Sequence, residues 1–164
     1  MGATEAESTP YKIPRSVLVV VYAEDLSVLL LERADRPGYW QSVTGSQEQN
    51  ETFRETAVRE LMEETGLAAS DYFLEDWGIK NEFEIFKHWR HRYAPGVTHN
   101  SEHTFGLMVP RSATIRISHR EHIQYQWCDI EKAIDQVFSW TNAKALRFLY
   151  DNKRHIGNLN KAEG

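Results

Sequence analysis

The stretch GSQEQNETFRETAVRELMEETGL, residues 45–67, decides the fold of this chain. Three of its carboxylates, Glu60, Glu63 and Glu64, are spaced i, i+3 and i+4, so an α-helix would place them on one face. Like charges held this close repel one another unless water or cations surround them. Oxygen ligands of this kind suit Mg²⁺ or Mn²⁺, which bind carboxylates together with substrate phosphates. The stretch therefore indicates either a solvated acidic helix face or a divalent-metal site.

The limits of this helix are marked by local signals. Thr52 and Glu55 form a T-x-x-E capping box, which predicts that the helix begins near Thr52. Gly66 suits the left-handed position that follows a helix, so the helix is expected to end near Thr65. Residues 45–50 are then a loop that leads into the helix. The predicted inner face consists of Ala57, Val58, Leu61 and Thr65.

Composition limits the classes of protein to which the chain can belong. A length of 164 residues favours one domain, predicted over 11–152, with a disordered tail at 1–10 and a frayed tail at 153–164. The net charge of −5 argues against a general nucleic-acid binder. No apolar run is long enough to span a membrane. Because Cys128 is the only cysteine, an intrachain disulfide is excluded, which fits a cytoplasmic protein.

The remaining pattern mixes strands with a few helices. Runs rich in β-branched and aromatic residues predict strands at 16–22, 28–32, 39–43, 72–79, 81–89, 103–109, 113–117 and 125–128. Helices are expected at 129–137 and 141–150. This mixture, without an internal repeat or linker, predicts an α+β sandwich.

The spacing G-x5-E-x7-R-E-L-x-E-E-x-G-L of the opening stretch resembles the signature of the Nudix hydrolases at every fixed position. The resemblance implies a mixed β-sheet sandwiched between α-helices. It also implies an enzyme that uses divalent cations to hydrolyse a diphosphate bond linked to another group. A nucleotide-binding module without catalysis is a less favoured alternative, because such a protein is expected to lose the glutamates of the signature.

The resemblance also implies roles for single residues. Glu60 and Glu64 are the expected metal ligands, followed by Glu63, which is also a candidate for catalysis. Arg59 is expected to orient Glu60 for catalysis, and it stands at helical spacing from Glu55 and Glu63. Glu51 is expected to support the loop or the ligands. The carbonyl of Gly45 is expected as a further metal ligand, because no side chain blocks it.

A hydrolase also needs a base that takes a proton from water. Nudix enzymes differ in this residue, which is a glutamate of the signature or a Glu or His on a later loop. Glu121 is the candidate outside the signature, as base or as additional metal ligand. His119 and His122 flank it and are alternatives, and an ordinary exposed acid remains the other interpretation of Glu121.

Several stretches outside the signature are similar to one subfamily, the bacterial dihydroneopterin triphosphate pyrophosphatases of folate biosynthesis. They include 15–22, 40–46, 82–98 and 139–142, and the similarity extends over about residues 12–150. It implies cleavage of a small triphosphate to a monophosphate and pyrophosphate. Hydrolysis of nucleoside triphosphates or dinucleoside polyphosphates is the alternative, and the oligomeric state is left open.

The run HWRHRY at 88–93 mixes cations with aromatic rings, a composition that suits a triphosphate tail. Arg90 and Arg92 are the main candidates for phosphate contact. The structural alternative is a strand whose faces alternate, with both arginines on the same side. Weaker candidates for substrate contact are Arg15, Arg33 and Trp40, of which Trp40 is equally well explained as a core residue.

Overall fold

The computed structural model describes residues 11–163, with side chains described through Asn152. The predicted disordered segment 1–10 lies outside the described residues, and the predicted frayed segment 153–164 lies outside the described side chains. The strands are β1 (Arg15–Tyr22), β2 (Ser27–Arg33), β3 (Trp40–Gln41), β4 (Val43–Ser46), β5 (Leu74–Glu84), β6 (His99–Met108) and β7 (His122–Asp129). The helices are α1 (Phe53–Thr65), α2 (Ile130–Gln136) and α3 (Trp140–Glu163), with 3-10 segments at Ala69–Asp71 and Lys87–Arg92.

The strands form one mixed sheet in the order β3-β2-β1-β6-β5, in which β4 pairs with β1 and β7 pairs with β2. β1 and β6 are parallel, and every other pair is antiparallel. β1 pairs with β4 along its first half and reaches β2 only at Tyr22. The two neighbours on this side of β1 therefore diverge, and the divergence leaves room for a cavity at this place in the sheet.

Alternate residues of β1 face two separate cores, as the pleat of a strand requires. Val17 and Val19 pack in the core beneath α1. Leu18 and Val20 pack in the core beneath α2 and α3, which includes Ala133 and Leu146. Because helices cover both faces of the sheet, the predicted α+β sandwich is confirmed.

The ends of α1 agree with the prediction from the sequence. The Thr52 hydroxyl accepts a hydrogen bond from the Glu55 amide, and the Glu55 carboxylate accepts one from the Thr52 amide. Gly66 follows the helix with a φ of 75°, in the left-handed region. The predicted inner face was wrong at Val58, which is 42 % exposed. Glu60 and Glu64 take its place, because residues three or four apart share a helix face.

The predicted strands 72–79 and 81–89 form one strand, β5, which ends at Glu84, and the predicted strand 113–117 is absent from the described residues. The run 88–93 belongs instead to the 3-10 segment Lys87–Arg92, in which the Trp89 amide donates to the Phe86 carbonyl and the Tyr93 amide to that of Arg90. The rings of Phe86 and Trp89 contact that of Phe138, and this tertiary cluster overrides the strand pattern. Residues 113–117 are irregular.

Candidate active site

A cavity of about 670 Å³ opens beside the place where the neighbours of β1 diverge. Its lining includes residues from the helical regions on both faces of the sheet. Glu60 and Glu64 come from α1 on one face of the sheet, and Phe138 and Thr141 come from the start of the α3 region on the other. A ligand in this cavity can therefore contact the acidic helix and the second helical layer at the same time.

The Glu64 carboxylate is the most buried charged group in the cavity wall, with 1 % of the residue exposed. Neither of its oxygens has a hydrogen-bond partner of normal geometry among the described residues. Burial and the nearby carboxylates of Glu60 and Glu121 raise the pKa of Glu64 well above its usual value, although the Thr44 amide opposes the shift. The Thr44 amide does not offset the cost of burying this carboxylate, and a cation would supply a stronger partner.

Glu60 lies directly against the backbone of β4. A Cβ at Gly45 would stand 1.5 Å from Oε2 of Glu60, so only a glycine allows this carboxylate to occupy its position. Burial raises the pKa of Glu60 to about 7 against the opposing charge of Arg59, and the carboxylates of Glu63 and Glu121 raise it further. The local geometry of β4 and α1 therefore brings Glu60 beside Glu64 at one end of the cavity.

The loop before β7 and the first residue of that strand complete the cluster. One ligand atom from each of Glu64, Glu121 and His122 lies within 4.8 Å of the others. Nε2 of His122 lies 3.6 Å from Oε1 of Glu64 and 3.5 Å from Nε2 of Gln41. Burial lowers the pKa of His122 to about 4, so its imidazole is neutral near pH 7 and keeps a lone pair. Carboxylate oxygens with a neutral imidazole form a donor set suited to a divalent ion.

The comparison with known protein families fits this geometry. Residues 12–149 match the family model of the NUDIX domain. The chain belongs to the Nudix family. Nudix enzymes are hydrolases that act on diphosphate bonds and generally use divalent metal ions, and the cluster of Glu64, Glu121 and His122 has ligand atoms of the kind that could hold one.

The individual relatives are similar over most of their length. The dihydroneopterin triphosphate diphosphatase of Escherichia coli is 47 % identical over 139 residues, which cover 83 % of this chain and 91 % of the relative. The enzyme of the same name from Haemophilus influenzae is 43 % identical over 148 residues, covering 88 % of this chain and 92 % of the relative. The solved structure of the E. coli dihydroneopterin triphosphate pyrophosphohydrolase matches with a TM-score of 0.82 and 44 % identity, over 88 % of this chain and 99 % of that chain. A Caenorhabditis elegans Ap4A hydrolase shares the fold, with a TM-score of 0.66, 20 % identity and coverage of 82 % and 93 %.

Arg59, on α1, forms hydrogen bonds that link this helix to the segment before it. Its guanidinium donates to both oxygens of Glu51, at 2.7 and 3.0 Å, and to the Ser46 carbonyl at 2.9 Å. It also contacts Glu63 at 3.1 Å and Glu60 at 3.6 Å. The hydrogen bonds from Arg59 lower the pKa of Glu51 to about 2. Glu51 is thus the main partner of Arg59, whereas the Glu55 carboxylate serves the capping box.

Replacing Arg59 by Lys is expected to lower kcat by about 10-fold or more, although the charge is kept. Lysine has no planar fork and cannot bond Glu51, Ser46 and Glu63 at once, so Glu60 loses its fixed position. Steady-state kinetics at saturating metal measure the effect. Arg147→Lys, an exposed position on α3, is the matched control. Wild-type kinetics in Arg59→Lys would reduce Arg59 to a surface ion pair.

The residues predicted to contact substrate have different positions in the structure. Arg33 and Arg92 line the cavity, and both bond the Asp35 carboxylate, at 2.8 and 2.9 Å. Arg90 is absent from the lining and bonds the Ile85 carbonyl and Glu84. Arg15 lies over the Phe53 ring and Trp40 lies in the core beneath α2 and α3, both outside the cavity lining. Glu63 is exposed, pairs with Arg59 and also stands outside it.

Several cavity residues were missed by reasoning from the sequence. Lys12 lines the cavity, and burial lowers its pKa while the carboxylates of Glu60 and Glu121 oppose the shift. Gln41 and Asn142 line it as well, and the Asn142 amide is held by Ser42. None of these belongs to a local motif. The only signal in the sequence was their position within stretches that resemble the subfamily.

Proposed function

We propose that this protein is a Mg²⁺-dependent pyrophosphohydrolase that converts dihydroneopterin triphosphate to dihydroneopterin monophosphate and pyrophosphate. The observation that carries the proposal is the likeness, over most of both chains, to curated diphosphatases of that substrate. The cavity supports it because acidic groups for a metal and basic groups for phosphates line the same space. Mn²⁺ is the expected substitute for Mg²⁺, since both prefer oxygen ligands.

Each part of the cavity has a role in this mechanism. Glu60 and Glu64 would hold the divalent ion, with help from Glu121 and the Gly45 carbonyl. A bound ion would offset the charge of the diphosphate and lower the barrier to attack by water. Arg33 and Arg92 bind the triphosphate oxygens with planar guanidinium groups, as this side chain does with phosphate elsewhere.

Glu121 is the proposed general base. It is exposed at the cavity rim and lies within the cluster of Glu64 and His122, so water can reach it. His122 is the alternative base, because its imidazole is neutral and buried beside Glu64. His119 is disfavoured, since it lines a separate shallow depression with Ile115 and Tyr125.

A substrate panel tests the proposal. The values of kcat/KM for dihydroneopterin triphosphate, dATP, 8-oxo-dGTP and Ap4A are compared in the presence of Mg²⁺, and the products are identified. The pterin triphosphate is expected to have the highest value and to release pyrophosphate. A higher value for a nucleotide or for Ap4A would favour the alternative, a nucleoside triphosphate or dinucleoside polyphosphate hydrolase. Binding without cleavage of any compound would indicate a nucleotide-binding module.

Replacing Arg92 by Ala is expected to raise KM about 10-fold or more, because a charge-assisted hydrogen bond to phosphate is lost. Arg90→Ala is the matched control, since Arg90 bonds the Ile85 carbonyl outside the cavity lining. Arg90→Ala should lower Tm while KM stays near the wild-type value. Equal changes in KM in the two variants would contradict the conclusion that Arg92 lies in the cavity lining and Arg90 outside it.

The proposed compartment is the cytoplasm, where the single cysteine, Cys128, would stay reduced; it is a buried free thiol. Within the part of the chain that the structure describes, no helix is long and apolar enough to cross a membrane. The proposed partner is a small-molecule triphosphate rather than a nucleic acid.

A further inference from the structure

A second buried carboxylate, Glu102, lines the cavity away from the signature helix. It lies on β6, opposite Ser16 of β1 and Asn81 of β5. The next residue on the same face of β6, Thr104, stands opposite Leu18, whose side chain belongs to the core beneath α2 and α3. Glu102 therefore lies on the face of the sheet that α2 and α3 cover, whereas Glu60 and Glu64 belong to α1, which covers the other face.

The Glu102 carboxyl group lacks a full set of partners. Only 4 % of the residue is exposed, and Oε1 has no hydrogen-bond partner among the described residues. A hydrogen bond from Thr141 lowers the pKa of the group, but burial dominates and raises it to about 7. Asn100, two residues earlier on the same face of β6, also lines the cavity and has an unpartnered buried Oδ1. Oε1 of Glu102 and Oδ1 of Asn100 are thus two buried acceptors on one face of β6 that lack a donor among the described residues.

The surroundings of Glu102 suit a flat heterocycle. Phe83, which pairs with Asn100 across β5 and β6, and Phe138 both contribute rings to the cavity lining. Aromatic walls favour a planar ligand, and buried acceptors favour a ligand edge that carries several N–H donors. Arg33 and Arg92 are bonded to Asp35 and are assigned to the phosphates. The side-chain nitrogen of Asn81, which pairs with Glu102 across β5 and β6, also has no hydrogen-bond partner among the described residues. A ligand edge that carries donors would supply Oε1 of Glu102 with the partner it lacks.

We propose that Glu102 determines specificity by accepting two hydrogen bonds from a 2-amino-4-oxopyrimidine edge, in which a ring N–H stands beside an exocyclic amino group. A carboxylate matches two adjacent donors in a bidentate pair. The inference rests on the proposed function, because a dihydropterin carries this edge. Guanine carries the same edge, hypoxanthine lacks the amino group, and adenine presents a different pattern.

The competing explanation is purely structural. Through Thr141, Glu102 bonds the first turn of α3 and would then serve to hold that helix on the sheet. This explanation predicts that a change at Glu102 lowers Tm but leaves the choice between heterocycles unchanged. Selectivity therefore separates the two explanations, whereas loss of activity alone would not.

The test compares wild type with Glu102→Gln, which keeps the size of the side chain but replaces one acceptor by a donor. The values of kcat/KM are measured for dihydroneopterin triphosphate, GTP, ITP and ATP. In the wild type, kcat/KM for GTP is expected to exceed that for ITP by about 10-fold or more, as for a bidentate pair. In Glu102→Gln this ratio is expected to fall to near one, through a change in KM. Activity on ITP should stay within a few-fold of wild type. Glu82→Gln, an exposed carboxylate on the neighbouring strand, is the matched control.

Different results overturn the subsite and the proposed function. An unchanged ratio of GTP to ITP in Glu102→Gln, with a lower Tm, overturns the subsite even if the pterin triphosphate is the best substrate. If the wild type prefers GTP to ITP but does not cleave the pterin triphosphate, the proposed function is overturned. The subsite is then tested by the ratio of GTP to ITP in Glu102→Gln. If the variant does not fold, calorimetric titration of wild type with GMP and IMP decides, and equal affinities overturn the subsite.

Discussion

Glu64→Gln is expected to lower kcat by about 100-fold or more and to leave the metal-free protein at least as stable as wild type. The substitution removes one charge and almost no volume. In the wild type this carboxyl group is buried beside Glu60 and Glu121, and burial and these neighbours raise its pKa, so a neutral amide is tolerated better there in the absence of metal. A residue needed only for packing would behave in the opposite way.

Kinetics and thermal unfolding together measure this effect. Addition of Mg²⁺ should raise the Tm of wild type, because a ligand that binds only the folded state stabilises it. The same addition should raise the Tm of Glu64→Gln much less. Glu131→Gln, an exposed acid on α2, is the control and should behave as wild type in both measurements. A kcat near the wild-type value at saturating Mg²⁺ would remove Glu64 from the metal site.

Gly45→Ala is expected to cause a loss of similar size, about 100-fold in kcat, by displacing a neighbour rather than by removing a functional group. The new Cβ would occupy the place of the Glu60 carboxylate, which therefore has to leave its position. The backbone conformation of Gly45 is not the reason, since its φ is not positive. The loss should thus be found in kcat, with a smaller change in Tm.

A double-mutant cycle tests whether Gly45→Ala acts through Glu60. In a Glu60→Ala background the displaced carboxylate is already missing, so Gly45→Ala should lower kcat little further. Such non-additivity is expected of residues in direct contact. Full additivity of the two losses would show that Gly45 acts by another route, such as its carbonyl oxygen.

The features predicted correctly from sequence are those that depend on neighbours along the chain. The capping box at Thr52 and Glu55, the glycine after α1 and the pleated run of β1 are all local, and each was found where the pattern placed it. The signature also placed Glu60 and Glu64 on one face of the helix, and both line the cavity, whereas Glu63 is exposed outside it.

The features that were missed depend on distant parts of the chain. The prediction for the inner face of α1 relied on apolar character and so included Val58, whereas the buried positions include Glu60 and Glu64, which line the cavity. The run 88–93 alternates like a strand, yet its aromatic rings pack against Phe138, which no local rule predicts. Glu102 looks like an ordinary strand acid until β6 is placed beside β1 and beneath α3.

The parallel pairing of β1 with β6 also affects the order in which the site is assembled. Arg15 pairs with Ser101, and Ser27 of β2 pairs with Asp129, so the sheet closes only through contacts between opposite ends of the chain. Contacts this remote slow folding, because a long loop has to be ordered first. During synthesis the acidic helix emerges well before β6, β7 and the loop that carries Glu121. Glu60 and Glu64 are therefore made early, but the cavity that they line forms only when β6 and β7 have joined the sheet.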